Sequence, residues 1–205
     1  MSFAENTCAG FVQALASKLP IPGGGGASAL VGAIGMALGS MVGNLTIGKK
    51  KYVGVEPDIV AIMDKATALQ EDLLRLMDED AAAFEPLSKA YGIPKDDPNR
   101  ERVMEDALKL ACTAPMDIMR LCARAIELQG EFSEKGNKLA LSDAGAGVLF
   151  CKAALQGASL NVFINTQSMK DREFASSIDK EAEALLGKYN AMADDIYFSV
   201  RASIS

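Results

Sequence analysis

The amino-acid sequence predicts an all-α protein, a single domain of long helices packed as a multihelical bundle over residues 1–205. Three observations predict it. Apolar residues recur at spacings of three and four along nearly the whole chain. No run of alternating β-branched residues bounded by turn signals occurs anywhere. No linker, fixed-period repeat or low-complexity tail divides the chain, and 205 residues is about one domain's worth.

The first predicted helix covers roughly residues 5–18 and stops before Pro20. The second begins after the glycine run at 23–26 and reaches about Leu45, with Gly35, Gly39 and Gly43 four residues apart on it. Such a row makes a flat face onto which another helix can close tightly, in the same chain or in a dimer. The third opens at Pro57-Asp58, with proline in its favoured first-turn place, and runs to about Tyr91 before Gly92 and Pro94. A fourth is expected over 99–129, kinked at Pro115, followed by a loop with helical stretches from Gly130 to Asn137. Ser142 reads as the N-cap of a fifth helix ending near Ser168, and Asp171 as the cap of a sixth. That last helix carries the stripe Phe174, Ile178, Ala182, Leu185, Tyr189, Met192 and Ile196.

Composition narrows the function. With 49% hydrophobic and 23% charged residues the chain is not disordered, and 21 basic against 27 acidic residues argue against a general nucleic-acid surface. Histidine is absent, so proton chemistry falls to Asp, Glu, Lys, Tyr or Cys. Cys8, Cys112, Cys122 and Cys151 form no CxxC pair, and the start lacks a basic leader; small core thiols in a reducing cytoplasm are the expectation. No charge falls between Lys18 and Lys49, the one stretch that resembles a membrane span. Half of the 18 glycines lie in it, together with Asn44 and Thr46, so a helix buried within the protein is the better reading.

One acid is out of place. The third helix's stripe reads Ile62, Ala66, Leu69, Leu73, Leu76, Asp80, Phe84 and Leu87, which puts Asp80 on the core side while Asp78 and Glu79 read as solvated. A carboxylate there must be paired with a cation or a neighbouring backbone, or else serve as an acid–base group whose pKa desolvation has raised. Two phosphate-loop patterns are refused. Gly24-x-Gly26-x-x-Ala29 has no strand before it, and Gly43-x4-Gly48-Lys49 lacks the Ser/Thr that must follow its lysine. The run Gly23–Gly26 is either a hinge or a cradle of free N–H groups at a helix N-terminus. Lys49, Lys50 and Lys51 are either a solvated run or a grip on an anionic substituent. Asn161 and Asn165, at the end of the narrow face Gly147, Cys151, Ala154 and Ala158, are either helix–helix bonds or pocket amides. Asp143 fits the first turn of its helix, where the dipole favours an acid.

Four segments together resemble the formimidoyltetrahydrofolate cyclodeaminase / methenyltetrahydrofolate cyclohydrolase family. They are Pro20-Ile21-Pro22-Gly23-Gly24-Gly25; Met41 to Tyr52, through Asn44 and Lys49-Lys50-Lys51; Asp78-Glu79-Asp80-Ala81-Ala82-Ala83-Phe84; and Gly136-Asn137 with Ser142-Asp143 and Asn161 to Asn165. Gly26 departs from the pattern, where serine is more usual, although Ser28 lies close by. The resemblance implies a helix-packed homodimer with active sites at or near the subunit interface, acting on a tetrahydrofolate derivative with no metal or redox cofactor required, while the composition points to a cytoplasmic protein without a nucleic-acid or membrane partner. It implies that Asp80 is catalytic, that Lys49 and Lys50 suit the folate glutamate tail, and that Pro22, Gly23, Gly24, Gly25, Asn44, Asn137, Asp143, Asn161 and Asn165 contact substrate. The expected reaction is cyclisation of 5-formimidoyl-tetrahydrofolate to the 5,10-methenyl form with loss of ammonia. The alternatives are the cyclohydrolase reaction, from 5,10-methenyl to 10-formyl-tetrahydrofolate, and a non-catalytic helical dimerisation or folate-binding module.

Overall fold

The computed structural model describes residues 2–205. Those residues form seven α-helices and two short 3₁₀ turns, with no strand among them: α1 (Cys8–Leu15), α2 (Gly24–Asn44), α3 (Glu56–Ala90), α4 (Arg100–Ala111), α5 (Thr113–Lys135), α6 (Leu141–Ser168) and α7 (Arg172–Ile204). The 3₁₀ turns are Lys50–Tyr52 and Lys138–Ala140.

Helix α2 is the axis of the molecule. It packs on α3, α5 and α6, while α7 lies over α5 and α6, and α4 bridges the C-terminal part of α3 to α6. Its glycine row makes this contact within the chain. A Cβ on Gly35 would lie 2.8 Å from the Gly147 carbonyl oxygen, and one on Gly39 would lie 2.9 Å from the Gln129 side chain. The register of α2 on α6 is antiparallel: Gly24 meets Asn161, Ser28 meets Gly157, and Gly35 meets both Gly147 and Cys151. By length and composition alone α2 and α6 could cross a membrane, yet 61% of the α2 stretch is buried inside the protein. Three cysteines are buried and Cys8 is exposed; burial pushes the Cys112 and Cys151 thiols up to about 12.

Several boundaries differ from the sequence reading. Helix α1 is shorter, beginning only where Thr7 accepts the Gly10 N–H at 3.0 Å. Helix α2 starts inside the glycine run, not after it. The expected kinked helix over 99–129 is two helices, parted at Cys112. Pro115 has no N–H for the Ala111 carbonyl, so it takes a first-turn place in α5 instead. The expected loop from Gly130 is helical through Lys135, because Cys122, Ile126, Gln129 and Phe132 continue one fully buried stripe. Ser142 is an exposed first-turn residue, not a cap; Asn137 caps the 3₁₀ turn before it by accepting the Leu139 N–H at 3.0 Å. Asp171 caps α7 as expected, accepting from Phe174 at 3.0 Å.

Asp78 does more than the solvated role expected of it. It accepts the Ser2 hydroxyl at 2.5 Å and the Phe3 N–H at 2.6 Å, tying the N-terminal segment to α3. Phe3 then meets Phe11 edge to face, with ring centres 6.3 Å apart, and Phe11 is the one buried residue of α1.

Candidate active site

The stripe on α3 is buried from Ile62 to Leu76, and Asp80 extends it to the wall of a cavity of about 180 Å³. The N-terminus of α2, the loop before it, the α4–α5 break and the end of α6 close the cavity. Its lining is Pro20, Ile21, Gly23 and Gly24, then Asp80 and Phe84, then Ala111 and Pro115, then Asn161, Ile164 and Asn165. Asp80 is the only charged residue in that lining.

The α2 N-terminus receives this carboxylate. The first N–H groups of a helix have no partner within it, and here the Gly26 N–H donates to Asp80 Oδ2 at 2.9 Å. Gly25 makes room: a Cβ at that position would fall 2.1 Å from Asp80 Oδ1. Burial pushes the Asp80 carboxyl above its ordinary range, and the Gly26 N–H works against that rise. Asp80 forms no ion pair among the described residues. Of the two structural readings of Asp80, the neighbouring backbone is therefore the partner, and no cation is. Gly26 was not among the expected contacts. The signal for it was the glycine run at a helix start, whose free N–H groups suit a carboxylate, here the protein's own.

Asn165 combines both readings offered for the two asparagines, whereas Asn161 lines the pocket and bonds only within its own helix. Asn165 Nδ2 donates to the Ala111 carbonyl at 3.2 Å, and Asn161 Nδ2 donates to the Gly157 carbonyl at 2.9 Å, while both residues line the cavity. Asn161 also lies against Gly24, whose Cβ would come within 3.1 Å of Nδ2. The apolar lining by Ile21, Phe84, Pro115 and Ile164 was not foreseen, because it comes from four separate elements and no local pattern joins them.

The remaining expected residues lie elsewhere in the chain. Asp80, Gly23, Gly24, Gly25, Asn161 and Asn165 come together, with Pro22 buried in the adjoining loop after a cis peptide bond from Ile21. Asn44, Lys49, Lys50, Asn137 and Asp143 gather at the opposite end of α2. A 21-residue helix places that end about 30 Å away. Lys49 and Lys50 are exposed there without an ion pair among the described residues, and Asn44 is exposed in the last turn of α2. Asn137 is tightly bound: its N–H donates to Thr46 Oγ1 at 2.8 Å, its Nδ2 donates to the Leu45 carbonyl at 2.8 Å, and its Oδ1 accepts from Leu139. Asp143 is half-buried in the first turn of α6.

An all-helical chain that sets one unpaired carboxylate against a glycine-rich helix start has a match among known families. The chain belongs to the formiminotransferase-cyclodeaminase family, whose model matches residues 7–184. Among its relatives is the methenyltetrahydrofolate cyclohydrolase of Methylorubrum extorquens, 42% identical over 199 residues that make up 95% of this chain and 96% of that protein. The formimidoyltransferase-cyclodeaminase of Dictyostelium discoideum is 35% identical over 183 residues, 89% of this chain but only 34% of that longer protein. A crystal structure of formiminotetrahydrofolate cyclodeaminase from Thermotoga maritima superposes with a TM-score of 0.83 at 30% identity, covering 97% of this chain and 96% of that one.

Proposed function

We propose that the chain is a folate one-carbon enzyme that cyclises 5-formimidoyl-tetrahydrofolate to 5,10-methenyl-tetrahydrofolate and releases ammonia. The observation that carries this is Asp80: a single desolvated carboxylate, held by Gly26 and unpaired with any cation, in a pocket with apolar walls. Folate N10 attacks the amidine carbon and forms an aminal. Asp80 takes the N10 proton and returns it to the nitrogen that leaves as ammonia, a role worth roughly 10²–10⁴ in rate. Its charge also favours the amidinium before attack and the methenyl cation once the proton has been returned and ammonia has left.

The cyclohydrolase reaction is the second reading, favoured by the relative of that name that matches over nearly all of both chains. Water then attacks the methenyl carbon, Asp80 passes the water's first proton to N5, and the N5–carbon bond breaks to leave the 10-formyl group, with the second proton lost to solvent. Near-ultraviolet absorbance of the methenyl chromophore separates the two. Its growth from 5-formimidoyl-tetrahydrofolate establishes the cyclodeaminase. Its enzyme-dependent decay, without that growth, establishes the cyclohydrolase. Neither signal above an Asp80→Asn control overturns both and leaves a folate-binding module.

The same proposal includes a homodimer. Ile34 and Met41 on α2 and Leu45 at its C-terminal cap, with Leu149, Phe150, Leu160 and Ile164 on α6, are exposed apolar residues of two helices nearly free of charge. A two-fold pairing with the α2 helices antiparallel carries the Asn44–Lys50 end of one copy to the Asp80 pocket of the other. Lys49 and Lys50 would then meet the glutamate tail of a folate whose ring occupies that pocket. In this arrangement the exposed face of α2 forms the interface, since its glycine face is filled within the chain.

A further inference from the structure

We infer that residues 87–111, the end of α3 with the loop after it and α4, are a flap that swings off the corner between α6 and α7 to admit substrate to the Asp80 pocket, with Asn165 as its latch. The inference rests on the folate reading for the size of what must enter, and on the packing for what moves.

The cavity is about 180 Å³, whereas pockets for ligands of this kind run to roughly 300–1,000 Å³. Part of its wall has to give way. Two prolines mark where. Pro86 leaves the Ala82 carbonyl without its helical donor, and Pro115 does the same to the Ala111 carbonyl, where α4 and α5 part at Cys112. Between these points the segment coheres on its own. Leu87, Ala90, Ala107, Leu108 and Ala111 belong to an apolar cluster separate from the main core. The Arg100 guanidinium donates to the Ala90 carbonyl at 3.3 Å and to the Ile93 carbonyl, tying the end of α3 to the start of α4.

Its hold on the rest of the chain is of another kind. The α6–α7 corner adds only Met169 and Ala175 to that cluster, with Phe174 packed beside them. The other ties there are polar and near the surface. Lys109 Nζ lies 2.6 Å from Asp171 Oδ2, Glu101 pairs with Lys170, and the Glu105 carboxylate accepts the Lys170 and Asp171 N–H groups at 2.8 and 3.0 Å. Such pairs contribute little each, so this seam parts before the helices within the flap come apart. Asn165 closes the seam from the pocket side, where its Nδ2 donates to the Ala111 carbonyl at 3.2 Å. A ligand that takes up this amide frees the end of α4, which couples arrival in the pocket to release of the flap.

Hydrogen exchange of the full chain, with no folate present, reads the movement directly. The helical amides of residues 87–111 are expected to exchange as one unit, on the order of tenfold faster than those of α5. Glu105→Ala with Lys109→Met, neither of which lines the pocket, should raise that rate about tenfold more and leave α5 unchanged. The flap can also be shut by chemistry. Glu101→Cys and Lys170→Cys, both exposed, are joined by a bismaleimide with a disulfide at its centre, in a Cys8→Ser background that removes the one exposed thiol. The probe is 5-formyl-tetrahydrofolate, which carries oxygen in place of the formimidoyl nitrogen. Its association should slow about tenfold or more in the joined protein and recover when a reducing agent cuts the link. Exchange of 87–111 no faster than that of α5, or association that the link does not slow, overturns the inference. A flap that opens in a protein binding no folate supports the movement and overturns the folate reading. Folate binding without faster exchange over 87–111 does the reverse.

Discussion

Asp80 and Gly25 share a space that admits only one of their side chains: a methyl group on Gly25 would fall 2.1 Å from Asp80 Oδ1. Gly25→Ala must therefore swing the carboxylate off the Gly26 N–H, while leaving α2 free to form. The expected result is a folded protein with activity reduced by about 10² or more, in line with loss of a positioned acid–base group. Gly24→Ala meets only the Asn161 amide, at 3.1 Å, and should cost less. Steady-state kinetics beside circular dichroism of both variants checks the order.

Asp80→Asn should separate activity from stability. A carboxyl whose folded pKa is raised holds its proton more tightly in the fold than in the unfolded chain. Its stabilising contribution is therefore full below the unfolded value of about 3.9 and lost as pH rises through the folded value. At pH 7 the buried charge is a cost that asparagine removes. The variant's melting temperature should exceed the parent's at neutral pH, with the gap closing in acid, while its rate falls by about 10²–10⁴. With Asp80 acting as the base, the acid limb of the parent's kcat/KM profile lies above the ordinary carboxylate range.

Most of the helical frame was legible because the stripes at spacings of three and four are continuous, as from Ile62 to Leu76. The α4–α5 break at Cys112 was harder. Proline is tolerated in a first turn and disruptive in a helix interior, and Pro115 was read as the second when the chain makes it the first. Asp80 stood out because it interrupts an apolar stripe. Its partner did not, because Gly26 lies 54 positions away and offers only a backbone N–H. The apolar walls were invisible for the same reason, being single residues contributed by separate elements.

The proposed dimer predicts complementation. Asp80→Asn and a Lys49→Ala/Lys50→Ala double variant, each inactive or impaired alone, should regain activity when mixed through denaturation and refolding. Random pairing of the two makes half the dimers mixed, each with one intact site, so about a quarter of full activity is expected. Sedimentation or light scattering must show dimers in each preparation; a monomer ends the proposal.

Gly35→Ala probes the interior contact of α2 with α6. Its methyl group would lie 2.7 Å from Cys151 Sγ and 2.8 Å from the Gly147 carbonyl oxygen, and the backbone cannot step aside cheaply. Overpacking of this kind costs about 1–3 kcal/mol, measurable as a lowered urea midpoint. The buried Gln129 Nε2, which donates to the Gly35 carbonyl at 2.6 Å, would be displaced as well.

Asp78→Ala should release the N-terminal segment without touching the pocket. Loss of the Ser2 and Phe3 bonds to a half-buried carboxylate costs about 1–2 kcal/mol. Hydrogen exchange at Phe3 should accelerate while kcat changes little.

The group that steadies Asp80 belongs to the main chain, and every residue of the sequence supplies an N–H except proline. Replacement of Gly26 by most other residues leaves that donor in place, and no glycine in this region can be trimmed further. The main-chain half of the site is thus protected against loss of atoms and vulnerable to gain of them. A complete substitution survey should find Asp80 and Asn161 sensitive to what is taken away, and Gly25, Gly35 and Gly147 sensitive to the first carbon added.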